Sequence, residues 1–245
     1  MPRFHLSIEY DGTVFCGWQR QANAPSVQQT LETAFAALNE PGVCVHGAGR
    51  TDAGVHALAQ SAHVDCAKHW QPFRLQAGLN AHLRPHAVAV TAVNEVSGAF
   101  NARFSAVERH YLYRIINRRA PLALEARRAW LVMRRLDAGA MHEAAQILVG
   151  DHDFSTFRDS ECQANSPQRH LNAFSVTQSG DVIEIRVAAR SFLHRQVRSM
   201  VGSLEHVGSG KWQTQDLADA LNARDRARCG EVAPAYGLYL ARVDY

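Results

Sequence analysis

Apolar and polar residues alternate without a break from Phe4 to Tyr10, Phe-His-Leu-Ser-Ile-Glu-Tyr. That period of two is the mark of a half-buried strand, and Asp11-Gly12 closes it as a turn. The period then changes. Val27, Leu31, Ala34, Phe35 and Leu38 recur at helical spacing. Ser26 stands at the N-cap of that helix, with Gln29 three residues on to complete a capping box, and Pro41-Gly42 stops it. A short strand is expected at 43–47, a glycine-rich loop at 47–54, an extended segment from Val55 to Cys66, a helix over 72–83 closed by Pro85, and a strand over Val88–Val93. The order is β-α-β-β-α-β.

The second half repeats that order. Residues 108–117 place Tyr111, Tyr113 and Ile115 on one face of a strand. Asp137 caps a helix carrying Met141, Ala145 and Leu148, ended by Gly150. Strands over 170–178 and 182–190 are joined at Ser179-Gly180-Asp181, a hairpin signal. A helix over 192–207 turns Leu193, Val197, Met200, Val201 and Leu204 toward a core, a short helix follows near 214–222, and a last strand spans 238–243. Twice β-α-β-β-α-β predicts an α+β protein of two ferredoxin-like halves, residues 1–105 and 106–245, with a largely antiparallel mixed sheet. No sequence identity between the halves accompanies this repeat of pattern.

Composition agrees with a folded protein. A chain of 245 residues, 47% hydrophobic and 20% charged, can bury its own core without a metal or disulfide staple. No apolar run approaches the length of a membrane span, and the N-terminus lacks the apolar stretch of a signal peptide. Five cysteines, odd in number and without a C-x-x-C pair, argue against a disulfide framework or zinc ribbon and fit a reducing cytoplasm.

The net charge is only +3, but its distribution is uneven. Residues 109–135 hold eight arginines, at 109, 114, 118, 119, 127, 128, 134 and 135, against Glu125 alone. Arginine binds phosphate bidentately and stacks on bases, so this strip is a candidate polyanion contact. A general preference for arginine over lysine, 24 to 2, is the plainer account of the residue choice, though not of the clustering.

One segment carries candidate chemistry: Gly47-Ala-Gly-Arg50-Thr51-Asp52-Ala-Gly54-Val-His56-Ala. Its glycine spacing, G-x-G-x-x-x-x-G before a strand, is not the dinucleotide fingerprint, which opens a helix. On the residues alone two readings stand: a tight turn in which Thr51 and Asp52 bond the local backbone, or a reactive carboxylate beside a cation. His142-Glu143-Ala-Ala-Gln146 falls short of a zincin motif because glutamine replaces the second histidine.

Gly49-Arg50-Thr51-Asp52-Ala53-Gly54-Val55-His56-Ala57 resembles the signature of the tRNA pseudouridine synthase A family. So do Tyr10-Asp11-Gly12 through Phe15-Cys-Gly17-Trp18-Gln19, Ser26-Val27-Gln28-Gln29 through Leu31-Glu32, and Gly78-Leu79-Asn80. Phe104-Ser105-Ala106 through Arg109-His110-Tyr111-Leu-Tyr113 resembles the family's active-site strand, and Asp153-Phe154-Ser155-Thr-Phe157 its next motif. Phe192-Leu193 through Val197-Arg198 to Val201-Gly202 resembles its basic helix, and Ala233 through Gly237-Leu238-Tyr239-Leu240 its closing strand. The motifs run in family order over nearly the whole chain. Gln196 stands where methionine is expected and His110 where a cation is common.

The resemblance implies a pseudouridine synthase fold and an isomerase that detaches uracil from a tRNA uridine, turns it and rejoins it through carbon 5. It implies action on the 3′ side of the anticodon stem-loop, tRNA positions 38–40, with no metal and no cofactor, by a homodimer in the cytoplasm. Asp52 would attack the sugar or the ring, or abstract a sugar proton. Tyr111 would stack on the flipped uracil and remove the carbon 5 proton. Arg50 would fill the gap left in the stem or grip a phosphate. Arg198 would keep Asp52 ionised, and Leu238 would form an apolar wall. A protein that only folds tRNA would need the basic strip but not the carboxylate. A hydrolytic glycosidase would want two carboxylates, and the loop offers one.

Overall fold

The computed structural model describes residues 1–22 and 24–245, and the chain divides into two compact units, Met1–Val107 with Tyr239–Tyr245, and Glu108–Leu238. The first unit holds β1 (Arg3–Tyr10), α1 (Val27–Ala37), β2 (His46–Gly47), β3 (His56–Asp65), α2 (Pro72–Leu83) and β4 (Val88–Val96). The second holds β5 (Glu108–Asn117), β6 (Trp130–Val132), α3 (Ala138–Ala145), β7 (Gly150–Asp153), β8 (Gln168–Ser179), β9 (Val182–Ala189), α4 (Gln196–Gly208) and α5 (Thr214–Ala223). The last strand, β10 (Leu238–Asp244), pairs parallel to β3 with Tyr239 opposite His56, and Tyr239–Tyr245 count with the first unit. The sequence division at 105/106 carries that strand in the second half instead.

In the first unit the strands run β4-β1-β3-β10, with the two-residue β2 on β3. The alternation read in β1 is a division of faces. Phe4, Leu6, Ile8 and Tyr10 are buried, together with Val27, Leu31 and Phe35 of α1 and Leu75, Leu79 and Leu83 of α2. Burying each such side chain stabilises the fold by roughly 1.5–3 kcal/mol. The opposite face of β1 is polar, with Arg3 opposite Asp65 and His5 opposite His63 on β3. Arg3 clasps Asp65 through Nε and Nη2 at 2.8 and 2.7 Å.

In the second unit β5, β9, β8 and β7 run in that order, each antiparallel to the next, with β6 parallel to β5. The class is α+β, as the pattern predicts. Strands β6 and β7 were not predicted: three and four residues are too few to show a period. The helix expected from residue 192 begins at Gln196, because Arg195 takes the left-handed conformation, φ +57°. Gln196 Oε1 accepts from the Leu193 backbone N–H at 2.8 Å.

Candidate active site

Two segments distant in sequence build the Asp52 loop. Residues 10–18 leave the end of β1 and lie along residues 47–56. The Trp18 N–H donates to the Thr51 carbonyl at 3.1 Å, and the Gly54 N–H donates to the Phe15 carbonyl at 3.3 Å. From β3, Gln60 Nε2 donates to the Gly49 carbonyl at 2.8 Å. The Val55 N–H donates to the Asp52 carbonyl at 3.1 Å, which makes Asp52 the first residue of a tight turn. The backbone is held on both sides while the Asp52 side chain stays half-buried and Arg50 is exposed.

Close approach explains two glycines of the N-terminal segment. A Cβ on Gly12 would stand 2.0 Å from the Val55 carbonyl oxygen, and one on Gly17 2.5 Å from that of Thr51. Gly17 also sits at φ +96°, a conformation that side chains oppose. Beneath the loop, the Tyr10 hydroxyl and Thr51 Oγ1 share a hydrogen bond of 2.8 Å. Burial raises the Tyr10 phenol to about 12, which keeps it protonated.

His56 was quoted above only as part of a motif, yet it ties the two segments together. It is buried, its Nδ1 accepts from the Gly12 N–H at 3.0 Å, and Asp11 Oδ1 lies 3.2 Å from the same nitrogen. Its ring stacks on Tyr239 of β10 at 4.8 Å. Spacing along the chain could not reveal this role, because Gly12 and Tyr239 are its partners only in the folded unit.

In the second unit β5 presents two tyrosines on one face with different fates. Tyr113 is 1% exposed, its hydroxyl donates to the Pro234 carbonyl at 2.8 Å, and burial pushes its phenol well above the ordinary value. Tyr111, opposite Val187 of β9, is only half-buried and meets the Phe192 ring edge-on at 5.2 Å. It is therefore the tyrosine of this pair that a ligand can reach.

Arg198 stands out on α4: every other residue of that helix is buried. Its Nε donates to the Ala233 carbonyl at 2.8 Å, and the Ala233 N–H donates back to the Arg198 carbonyl at 3.1 Å. Arg198 and Tyr113 thus fix Ala233 and Pro234, and the chain passes from there to Leu238, which is buried at the start of β10. Within this unit, one network ties the strand of Tyr111, the helix of Arg198 and the segment leading to Leu238.

The arginine strip is less uniform than its sequence implies. Partners outside residues 109–135 neutralise part of it. Arg134 Nε bonds the buried Glu205 at 2.7 Å, and Arg118 lies 3.8 Å from Asp181. Arg114 pairs with Glu125 at 2.9 Å, and the buried Arg109 donates through Nη1 to the Arg190 carbonyl. Arg119, Arg127, Arg128 and Arg135 are exposed.

An α+β fold that holds a half-buried carboxylate on a doubly clamped loop, with exposed guanidinium groups and a reachable tyrosine, has the parts of an enzyme acting on a polyanion. The sequence model of a family described as tRNA pseudouridine synthase matches residues 6–105 and 144–245, which include Arg50, Asp52, Arg198 and Leu238 but not Tyr111. Three relatives called tRNA pseudouridine synthase A align over all of this chain. That of Methylocella silvestris is 64% identical with 99% of its length covered, that of Beijerinckia indica 66% with 94%, and that of Afipia carboxidovorans 61% with 100%. The chain belongs to the tRNA pseudouridine synthase family, a family of isomerases that make pseudouridine. Among the described residues no helix is long and apolar enough to cross a membrane.

Proposed function

We propose that this protein converts uridine to pseudouridine on the 3′ side of the tRNA anticodon stem-loop, with Asp52 as the reacting carboxylate. The reaction is an isomerisation. The bond from ribose C1′ to N1 of uracil breaks, a bond from C1′ to C5 forms, the C5 proton leaves, and N1 gains a proton. Neither water nor an oxidant enters the balance. A base within a stem must leave the stack to react, at a cost of a few kcal/mol.

The single observation that carries the reading is the Asp52 loop. Its backbone bonds to residues 15 and 18 in front and to Gln60 behind, so the carboxylate is positioned before substrate binds. Tyr111 is the group to stack on the flipped uracil and accept the C5 proton. The family resemblance assigns Arg198 the role of partner cation, Leu238 that of the apolar wall, and Arg50 that of the contact to the opened stem or its phosphates. These five roles and the homodimer rest on the family resemblance, the cytoplasmic setting on the cysteine pattern; the clamped Asp52 loop and the half-buried Tyr111 are the geometry that supports the reading.

The test is to incubate the protein with unmodified tRNA transcripts and map pseudouridine at nucleotide resolution. The expected product lies in the 3′ side of the anticodon arm and is lost when those uridines are replaced by cytidine. Pseudouridine formed only in other arms would overturn the assignment of the target.

A further inference from the structure

Arg109, Tyr111 and Tyr113 share one face of β5 by alternation, and the two outer residues each grip the main chain elsewhere in this unit. Tyr113 holds the Pro234 carbonyl. Arg109 stands opposite Ala189, the last residue of β9, and its buried guanidinium donates through Nη1 to the carbonyl of Arg190, the next residue along. A hydrogen bond from a buried cation is a strong one. It fixes the point at which the chain leaves β9 for α4.

Two residues beyond Arg190 is Phe192, whose ring stands at 90° to that of Tyr111 with centroids 5.2 Å apart. The far side of Phe192 is anchored as well. Leu193 is buried, its N–H donates to Gln196 Oε1 at 2.8 Å, and its carbonyl accepts from the Gln196 N–H at 3.1 Å. Gln196 is itself fully buried. The His194 N–H donates to Cys162 Sγ at 3.4 Å, and the His194 carbonyl accepts from the Asp159 N–H at 3.2 Å. Residues 190, 193 and 194 are thus tied to β5, to α4 and to the turn at 159–162. Phe192 lies between these ties, half-buried against a half-buried tyrosine. Aromatic rings in edge-to-face contact hold one another at a preferred angle, so a ring on an anchored segment orients the ring it touches.

We infer that Phe192 is a positioning residue for the isomerisation, because its ring fixes the plane of the Tyr111 ring. This rests on the role proposed above for Tyr111 and deepens it. Stacking of uracil on a tyrosine face tolerates a modest tilt of the ring. Transfer of the C5 proton does not, because the phenol oxygen must come within hydrogen-bond reach of it. Loss of the Phe192 ring therefore slows the chemical step more than it weakens binding.

The experiment uses the full chain and two forms of one tRNA transcript, with ordinary uridine and with uridine deuterated at C5. Single-turnover rates of pseudouridine formation are measured beside Kd. Phe192→Leu keeps an apolar side chain and removes the ring, whereas Phe192→Tyr keeps the ring. The Leu variant is expected to lose about tenfold in rate, with Kd within about twofold of wild type. Its ratio of rates on ordinary and deuterated uridine should exceed that of wild type, since the proton step becomes more limiting. Phe192→Tyr should recover the rate to within about threefold of wild type. The inference is overturned alone if Tyr111→Phe is slow while Phe192→Leu keeps the wild-type rate. It is also overturned if Phe192→Leu slows with an unchanged isotope ratio, or if Phe192→Tyr slows as much, either of which would make Phe192 a packing residue only. Should Phe192→Leu unfold more readily in urea than wild type, Phe192→Met takes its place under the same criteria. Tyr111→Phe at the wild-type rate overturns the parent role of Tyr111 and this one together.

Discussion

At the scale of single residues, the Asp52 loop depends on contacts that leave no room for adjustment. Tyr10→Phe keeps the ring and removes the hydroxyl that meets Thr51 Oγ1 in the core. The expected loss is about 1–2 kcal/mol, read from urea denaturation at neutral pH. The same substitution should change the alkaline behaviour. Burial holds the Tyr10 phenol at about 12 against an ordinary 10, so its stabilisation is full below pH 10 and is lost as pH rises toward 12. The Phe variant should therefore show a shallower fall in stability over that range, with Tyr113 accounting for a remainder. Gly12→Ala forces a methyl against the Val55 carbonyl. It should lower stability by about 1–3 kcal/mol and reduce kcat by more than tenfold, since the strain falls on the loop that carries Asp52. A Gly12→Ala variant with wild-type kcat in a single-turnover assay would show that the approach of residues 10–18 does not position the carboxylate.

At the scale of elements, the polar face of the first sheet carries its own pH dependence. His46 and His5 are the cross-strand neighbours of His63, whose Nδ1 accepts from the Ala102 N–H at 3.1 Å. Burial first, then the neighbouring Arg3 and His46, lowers the His63 pKa to about 4 from an ordinary 6.5. The neutral form is favoured by folding, so this contribution is full above pH 6.5 and is lost as pH falls toward 4. His63→Gln should flatten the stability of the protein between those values in urea titrations, at some cost at pH 7. The elements themselves were legible where one face is buried over several turns or several alternations. Ser26 caps α1 with its Oγ 3.3 Å from the Gln29 nitrogen, and α2 spans the predicted 72–83. The start of α4 was not legible, because Leu193 is apolar at helical spacing and buried, yet it lies outside the helix. Only the backbone of Arg195 breaks that pattern, and an arginine gives no sign of a left-handed conformation. The place of β10 was hidden for a different reason: parallel pairing with β3 joins residues far apart in the chain.

At the scale of the whole molecule, charge has to be counted after folding rather than along the sequence. Arg119→Ala and Arg135→Ala should each weaken binding of all tRNAs and lower the salt slope by about one, if these exposed cations meet phosphates. Arg134→Ala should instead leave the slope unchanged and lower stability by about 1–3 kcal/mol, because Glu205 would remain buried without its cation. Filter binding over a salt series and urea denaturation of the same variants separate the two classes. Of the candidate site, the glycines marked a constrained backbone around Arg50 and Asp52 but left a plain turn equally open, and only the family signature singled those two residues out. The clamp from residues 10–18, the His56 tie and the choice between Tyr111 and Tyr113 required the fold. The central claim is that one carboxylate performs an isomerisation that needs no water. It is tested most directly with Asp52→Asn, which preserves shape and removes the reactive charge, in a single-turnover assay with saturating tRNA and a parallel Kd. The account predicts no detectable pseudouridine and a Kd close to wild type. Pseudouridine formed at the wild-type rate by Asp52→Asn would contradict it.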